Sequence, residues 1–157
     1  MRECVLVLHN IRSAHNVGSM FRTADGAGVS RLVLSGYTPG HEGVSGKERQ
    51  KFTKVSLGAE STVPHTRARS LVEALQQLKA TGFKIIALEE DARATSLFDA
   101  KLSSEEKIAV VMGNEVHGVD KDALDTADLI LHIPMHGQKE SLNVSVACGV
   151  ALYTLLQ

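Results

Sequence analysis

IPMHGQKESLNVSVACGVALY, Ile133 to Tyr153, is the stretch on which the reading of the fold turns. It opens on a strand-like end, Ile133-Pro134-Met135, bends at Gly137 and enters a segment, Ser141 to Leu156, that carries no charged residue. At helical spacing Leu142, Val146, Val150 and Tyr153 share one face, while Val144, Ala147, Ala151 and Leu155 cover most of the rest. A helix apolar on nearly every side is expected to be buried on nearly every side. This one therefore needs both a core and a second surface to lie against. Its polar residues, Ser141, Asn143 and Ser145, fall in the expected first turn, where unpaired N–H groups and the positive end of the helix dipole favour a ligand.

Outward from that helix, short apolar runs alternate with helical periodicity. Cys4–Leu8, Arg31–Leu34, Lys84–Leu88, Ile108–Met112 and Leu129–Ile133 read as strands, each the continuous apolar run of a buried parallel strand. Helices are expected over Asn16–Ala27 with Asn16 as N-cap, over Arg69–Ala80, and briefly over Asp120–Thr126. Val63 marks a short strand before Pro64, and Glu89–Lys101 a polar loop. Ser35–Glu60 is rich in glycine and shows no periodicity, so it reads as an insertion loop of a functional or mobile kind. The alternation implies an α/β fold, a parallel sheet with helices on both faces, with residues 1–157 forming a single domain and no separate RNA-binding domain. In such sheets ligands bind beyond the carboxyl ends of the strands, where the loops after Leu88, Met112 and Ile133 stand.

Charge is almost balanced, with 17 Lys and Arg against 18 Asp and Glu. That excludes a surface basic all over and leaves room for a local patch. No stretch supplies the roughly 20 clean apolar residues of a membrane span, and MRECVLVLHN reads as a strand without a cleavage site. A cytoplasmic protein with no membrane partner is expected. Cys4 and Cys148 lack a CxxC partner and read as reduced core thiols. No GxGxxG follows a strand, and His41 and Glu48 stand where a phosphate loop ending at Gly46-Lys47 needs Gly and Ser/Thr. None of the seven histidines pairs at zinc spacing with a third ligand, so no metal is expected.

Two stretches are more informative. Asn16 and Arg22 of NVGSMFR lie somewhat under two helical turns apart and can project toward one end of the sheet; a cap with a solvated arginine explains the same spacing. GNEVHG, Gly113 to Gly118, follows a strand directly. Its glycines permit close backbone approach, and Glu115 reads as a carboxylate at a strand end, with a capped turn as the alternative.

Three blocks together, HNIRSAHNVGSMFRTADGAGV (from His9), VVMGNEVHGV (from Val110) and the opening stretch, resemble the three signature motifs of the SpoU family, RNA ribose 2′-O-methyltransferases of the SPOUT superfamily. KVSLGAESTVPH, Lys54 to His65, is similar to the family's middle segment, so the likeness runs from about Leu6 to Tyr153. The resemblance implies a C-terminal deep trefoil knot, a rare exception to the ordinary rules of chain connection. It implies S-adenosylmethionine as cofactor, held by Leu88, Gly113, Ile133 and Leu142, and a homodimer through the C-terminal helix. Motif matching puts Asn16, Arg22, Glu115, Ser141 and Asn143 at the catalytic centre. The resemblance implies tRNA or rRNA as substrate, with tRNA slightly favoured because the chain resembles a bare catalytic core.

The implied reaction moves a methyl group to a ribose 2′-oxygen, in line, so alignment supplies much of the catalysis. The resemblance makes Arg22 the main catalytic residue, as base or as electrostatic stabiliser; a guanidinium stays protonated, which favours the second role. Glu115 is expected to fix that guanidinium by paired hydrogen bonds. Arg12, Lys47, Arg49, Lys51 and Lys54 lie in the expected loops and read as a patch for the RNA backbone, or as scattered solvated cations. The alternatives are a non-catalytic RNA- or cofactor-binding module and a SPOUT enzyme that methylates a base.

Overall fold

The structure, a computed structural model, describes residues 2–157. Strand β1 (Cys4–His9) is buried at every position and is an interior strand of the sheet. Helix α1 (Ala14–Ala27) and β2 (Arg31–Ser35) follow it, then α2 (Gly46–Ser56), α3 (Ala59–Thr62) and β3 (His65–Ala68). Next come α4 (Leu71–Ala80), β4 (Phe83–Leu88), the two-residue β5 (Thr95–Ser96) and β6 (Lys107–Met112). The chain ends with α5 (Lys121–Thr126), β7 (Leu129–His132) and α6 (Val144–Leu155). The seven strands form one sheet in the order β3-β2-β1-β6-β4-β7-β5, and every pairing is parallel. The sequence reading gives five apolar strands and a short one at Val63; β5, two residues long, falls within the stretch read as a polar loop.

Side chains alternate across a strand, so β1 feeds two cores. Leu6 and Leu8 face α1 and α6 together with Met20, Phe21 and Leu152. Val5 and Val7 face α4 and α5 together with Leu75, Leu78 and Leu124. Cys4 and Cys148 are free and buried, and burial pushes the Cys4 thiol up to about 12.

Several expected boundaries move. The N-cap of α1 is Ser13, not Asn16: the Ser13 hydroxyl accepts the Asn16 N–H at 3.1 Å, which leaves the Asn16 side chain free for other partners. Helix α4 starts at Leu71 behind Ser70, whose hydroxyl accepts the Glu73 N–H, and the strand expected at Val63 lies instead after Pro64. The largest correction concerns Ser35–Glu60, which is no structureless insertion. It contains α2, eleven residues long, with only Phe52 and Ser56 buried. One large anchor gives too little periodicity to see in sequence. The helix is held by Phe52 against Phe21, ring centroids 5.6 Å apart, and by backbone contact at Gly18 of α1.

Helix α6 also departs from expectation. Ser141 and Asn143 precede it rather than forming its first turn, and Asn143 is its N-cap. Cys148, Ala151, Leu152 and Leu155 are buried, but Val146 and Tyr153 remain 52% and 50% exposed. Within one chain the helix has its core on one side and a bare apolar strip on the other. It runs alongside α1, with Asn143 near Asn16, Gly149 near Thr23 and Tyr153 near Gly26.

A Cβ on Gly18 would stand 2.5 Å from the Phe52 carbonyl oxygen and 2.9 Å from Val55 Cγ2. Backbone cannot yield there as a flexible side chain would. Gly18→Ala is expected to lower stability by about 1–3 kcal/mol through overpacking, outweighing alanine's advantage of about 1 kcal/mol in helix propensity. Urea denaturation checks this; an unchanged or raised midpoint would show that the contact does not set the α1–α2 spacing.

Candidate active site

The carboxyl ends of β4, β6 and β7 open into a cleft of about 200 Å³. Leu88, Gly113, Ile133 and Leu142 all line it, as do Glu115 and Ser141. The parallel register explains the convergence: Ala87 lies beside Val111 of β6 and Ile130 of β7, so three loops leave the sheet at one level. Gly113 is required by close approach, since a Cβ there would collide with the Gly118 carbonyl across the loop. That loop closes on itself, Asn114 N–H to Gly118 O and Gly118 N–H to Asn114 O, each at 2.9 Å.

Glu115 reaches out of this loop to the start of α1. Its carboxylate accepts the Arg12 N–H at 3.1 and 3.0 Å, the Ser13 N–H at 3.1 Å and the Asn16 amide at 3.2 Å. Burial pushes the carboxyl up, but the N–H groups of Arg12, Ser13 and Glu115 itself, with the Asn16 amide, outweigh burial and hold it below the ordinary glutamate range. Asn16 carries the connection onward, its Oδ1 accepting from Asn143 Nδ2 at 3.3 Å. Asn143 Oδ1 in turn accepts from the Ser145 N–H at 2.9 Å and caps α6. Asn16, Glu115 and Asn143 thus form one chain of hydrogen bonds linking the loop after β6 to the starts of α1 and α6.

Arg22 stands apart from it. The expected pairing with Glu115 does not occur, because the carboxylate is occupied by the N-terminal turn of α1. Arg22 lies on the exposed side of α1, and the ion pairs of the described residues that involve an arginine are made by Arg93. The basic residues also differ from the expected loop arrangement. Lys47, Arg49, Lys51 and Lys54 ride on α2; Lys51 pairs with Glu48 at 2.6 Å, and the Arg49 guanidinium donates to the His41 and Val44 carbonyls. Arg12 is exposed beyond the turn that Glu115 holds.

Sequence reasoning missed several cleft residues. Glu89 accepts the Val119 N–H at 2.8 Å and the Glu90 N–H at 2.8 Å, clasping the Gly113–Gly118 loop to β4. Glu90 faces His132 at 3.2 Å, and Glu140 lines the same cleft. The signal was the acidic pair directly after Leu88, at a strand end already marked as a ligand position. Behind the loop, His9 Nε2 lies 2.7 Å from Asp120 Oδ2 and Nδ1 2.8 Å from Ser35 Oγ, which ties β1, β2 and the start of α5 together. Among the described residues no three His, Cys, Asp or Glu are grouped to hold a metal ion.

Because the Glu115 carboxyl is lowered, its contribution to stability is present above the unfolded glutamate value, about 4.3, and is lost as pH falls through the lower folded value. Glu115→Gln is therefore expected to unfold more easily at neutral pH and to lose less on acidification than the wild type. Denaturation midpoints from neutral pH downward check this, and parallel curves for the two proteins would refute it.

With this geometry in hand, the likeness to known proteins becomes specific. The model of the SpoU rRNA Methylase family matches residues 3–153. The 23S rRNA (guanosine-2′-O-)-methyltransferase RlmB of Vibrio cholerae is 34% identical over 149 residues, 95% of this chain and 57% of that protein. The AdoMet-bound rRNA methyltransferase from Sinorhizobium meliloti superposes with a TM-score of 0.83 at 25% identity, covering 97% of this chain and 55% of that one. A structure concerned with 2-OH methylation of C/U34 on tRNA gives 0.78 at 28% identity, covering 98% of this chain and 88% of that one. The chain spans about 57% of the length of the curated relatives it matches. A match over residues 3–153, on a sheet whose second and third signature blocks line one cleft, places this chain in the SpoU rRNA methylase family.

Proposed function

We propose that the protein is an S-adenosylmethionine-dependent RNA methyltransferase acting on a ribose 2′-hydroxyl of tRNA or rRNA, in the cytoplasm. The convergence of Leu88, Gly113, Ile133 and Leu142 on one cleft, beside Glu115 and Ser141, carries the reading. The cleft suits the cofactor: apolar walls from Leu88, Met112 and Leu142 fit a flat base, and the Glu89, Glu90 and Glu140 carboxylates fit a cation. Bound there, S-adenosylmethionine supplies an electrophilic methyl group. The reading includes the deep trefoil knot, formed where the C-terminal segment passes the loop after β6.

The chain's own residues position and stabilise. Glu115 fixes the turn before α1, Asn16 and Asn143 fix that turn against α6, and Ser141 stands at the cleft with its hydroxyl available to the ribose. Arg22 stays protonated, so its role is to grip a phosphate and stabilise the developing oxyanion. It has no competing carboxylate partner among the described residues, which leaves its charge available. The bare strip of α6, Val146 and Tyr153, is the surface for a second copy. Since α1 runs alongside α6, Arg22 belongs to the boundary between the two copies, close to their clefts. Arg12, Lys47, Arg49, Lys51 and Lys54 hold the RNA backbone. The pair between Lys51 and Glu48 is exposed and exchanges readily for phosphate. Between RNA classes, tRNA is favoured: the tRNA-related structure is matched over 88% of its length and the rRNA relative over 57%.

Incubation with radiolabelled S-adenosylmethionine and either total tRNA or rRNA, followed by digestion to nucleosides, tests the reaction. Label is expected in a 2′-O-methylnucleoside from tRNA, and Arg22→Ala is expected to lose it by at least about a hundredfold. Label in a base would move the protein to another SPOUT activity, and cofactor binding without label would make it a binding module. Lys54→Glu is expected to weaken RNA binding and leave cofactor affinity unchanged; equal loss of both would remove Lys54 from the RNA surface. Val146→Asp is expected to shift the protein from dimer to monomer in sedimentation, and an unshifted profile would move the interface elsewhere.

A further inference from the structure

Tyr37 lies outside every block so far assigned to chemistry, yet it is held unlike an ordinary surface side chain. The residue is 56% exposed and anchored at both ends. The Tyr37 backbone N–H donates to Asn10 Oδ1 at 3.2 Å, and its phenolic oxygen accepts from Asn114 Nδ2 at 2.9 Å. Asn114 lines the cleft and precedes Glu115, so the ring is one hydrogen bond from the loop that carries the candidate centre.

The turn beneath the ring is fixed as well. Arg67 donates to the Gly36 carbonyl at 3.2 Å and to the Thr38 carbonyl at 2.6 Å. The Thr38 hydroxyl donates to the Leu8 carbonyl and accepts the Ile11 N–H. Gly36 has φ +61°, and a side chain there would collide with Asn10 Oδ1. Asn10 itself sits at φ +54°, a left-handed conformation that asparagine adopts more readily than other non-glycine residues. Two positive-φ residues and a buried threonine therefore hold in place a side chain that contributes little to either core. An apolar plate kept rigid and open to solvent is suited to a flat ligand.

We propose that Tyr37 is a stacking platform for an unpaired nucleobase of the RNA, next to the nucleotide whose ribose enters the cleft. This rests on the reading of the protein as an RNA methyltransferase and specifies how the RNA is held. Unstacked bases pair with aromatic faces in recognition of single-stranded RNA, and a preordered ring loses little entropy on binding. Arg12, two residues beyond Asn10 and exposed, supplies a positive charge near this turn in sequence for the adjoining phosphate. The substrate at this point is a loop or a strand end, since a base paired within a helix presents no face to the ring.

The chain has two tyrosines and no tryptophan, so in a Tyr153→Phe background the ultraviolet emission comes from Tyr37. Titration with a short oligoadenylate is expected to quench this emission more than titration with an oligouridylate of equal length. In fluorescence anisotropy Tyr37→Ala is expected to weaken oligoadenylate binding on the order of tenfold. Tyr37→Phe keeps the ring, loses the tether to Asn114 and is expected to stay near wild type. Loss in Tyr37→Phe equal to that in Tyr37→Ala would make the residue a tether only and overturn the inference. Unquenched emission at saturating RNA, or full affinity in Tyr37→Ala, would overturn it too while leaving the RNA reading standing. Wild-type protein that binds neither oligonucleotide nor total tRNA would bring down the RNA reading and this inference with it.

Discussion

One carboxylate joins the two halves of the candidate site. Glu115 belongs to the loop after β6, while the N–H groups that it accepts belong to the turn between β1 and α1, about a hundred residues earlier. The Ser13 N–H, at the N-cap, is one of the unpaired donors expected at any helix start, and the Arg12 N–H directly precedes it. Paired with Glu115, they convert a local capping problem into a long-range fastening. Asn16 and Asn143 extend the fastening to α6, so the cleft wall, the first helix and the last helix share one set of bonds. The Glu89 clasp on Val119 secures the same loop from its other end.

The strand-and-helix alternation was legible because buried parallel strands are continuous apolar runs, and β1, β4 and β6 are buried along nearly their whole length. Their carboxyl ends were legible with them, which is why Leu88, Gly113 and Ile133 could be grouped before any coordinates. Helix α2 was not legible. It buries Phe52 and Ser56 and meets α1 through glycine and backbone, contacts that leave no periodic trace. The partner of Glu115 was not legible either. A carboxylate and a guanidinium in two motifs invite pairing, but backbone N–H groups carry no letter in a sequence, and here they hold the carboxylate. Asn16 was singled out as a cap; Ser13, three residues earlier, took that role and left Asn16 to bridge Glu115 and Asn143.

The two sides of α6 differ in what covers them. Cys148, Ala151, Leu152 and Leu155 complete the core that β1 and α1 begin. Val146 and Tyr153 contribute nothing to that core and keep half their surface in water. An apolar segment with small residues such as Gly149 against Thr23 permits α1 and α6 to lie close, and close helices present one broad face rather than two ridges.

The position of β1 in the sheet bears on how the protein is made. Its neighbour on one side, β2, follows within thirty residues, but on the other side Cys4 lies beside Ile108. At about 5–20 residues per second of synthesis, the far edge of β1 waits for its partner for roughly 5–20 seconds. During that interval a strand apolar from Cys4 to Leu8 offers an unpaired edge, the form in which sheets recruit other chains. A strand that ends with neighbours on both sides in the finished sheet is therefore, on the ribosome, a segment in need of shelter.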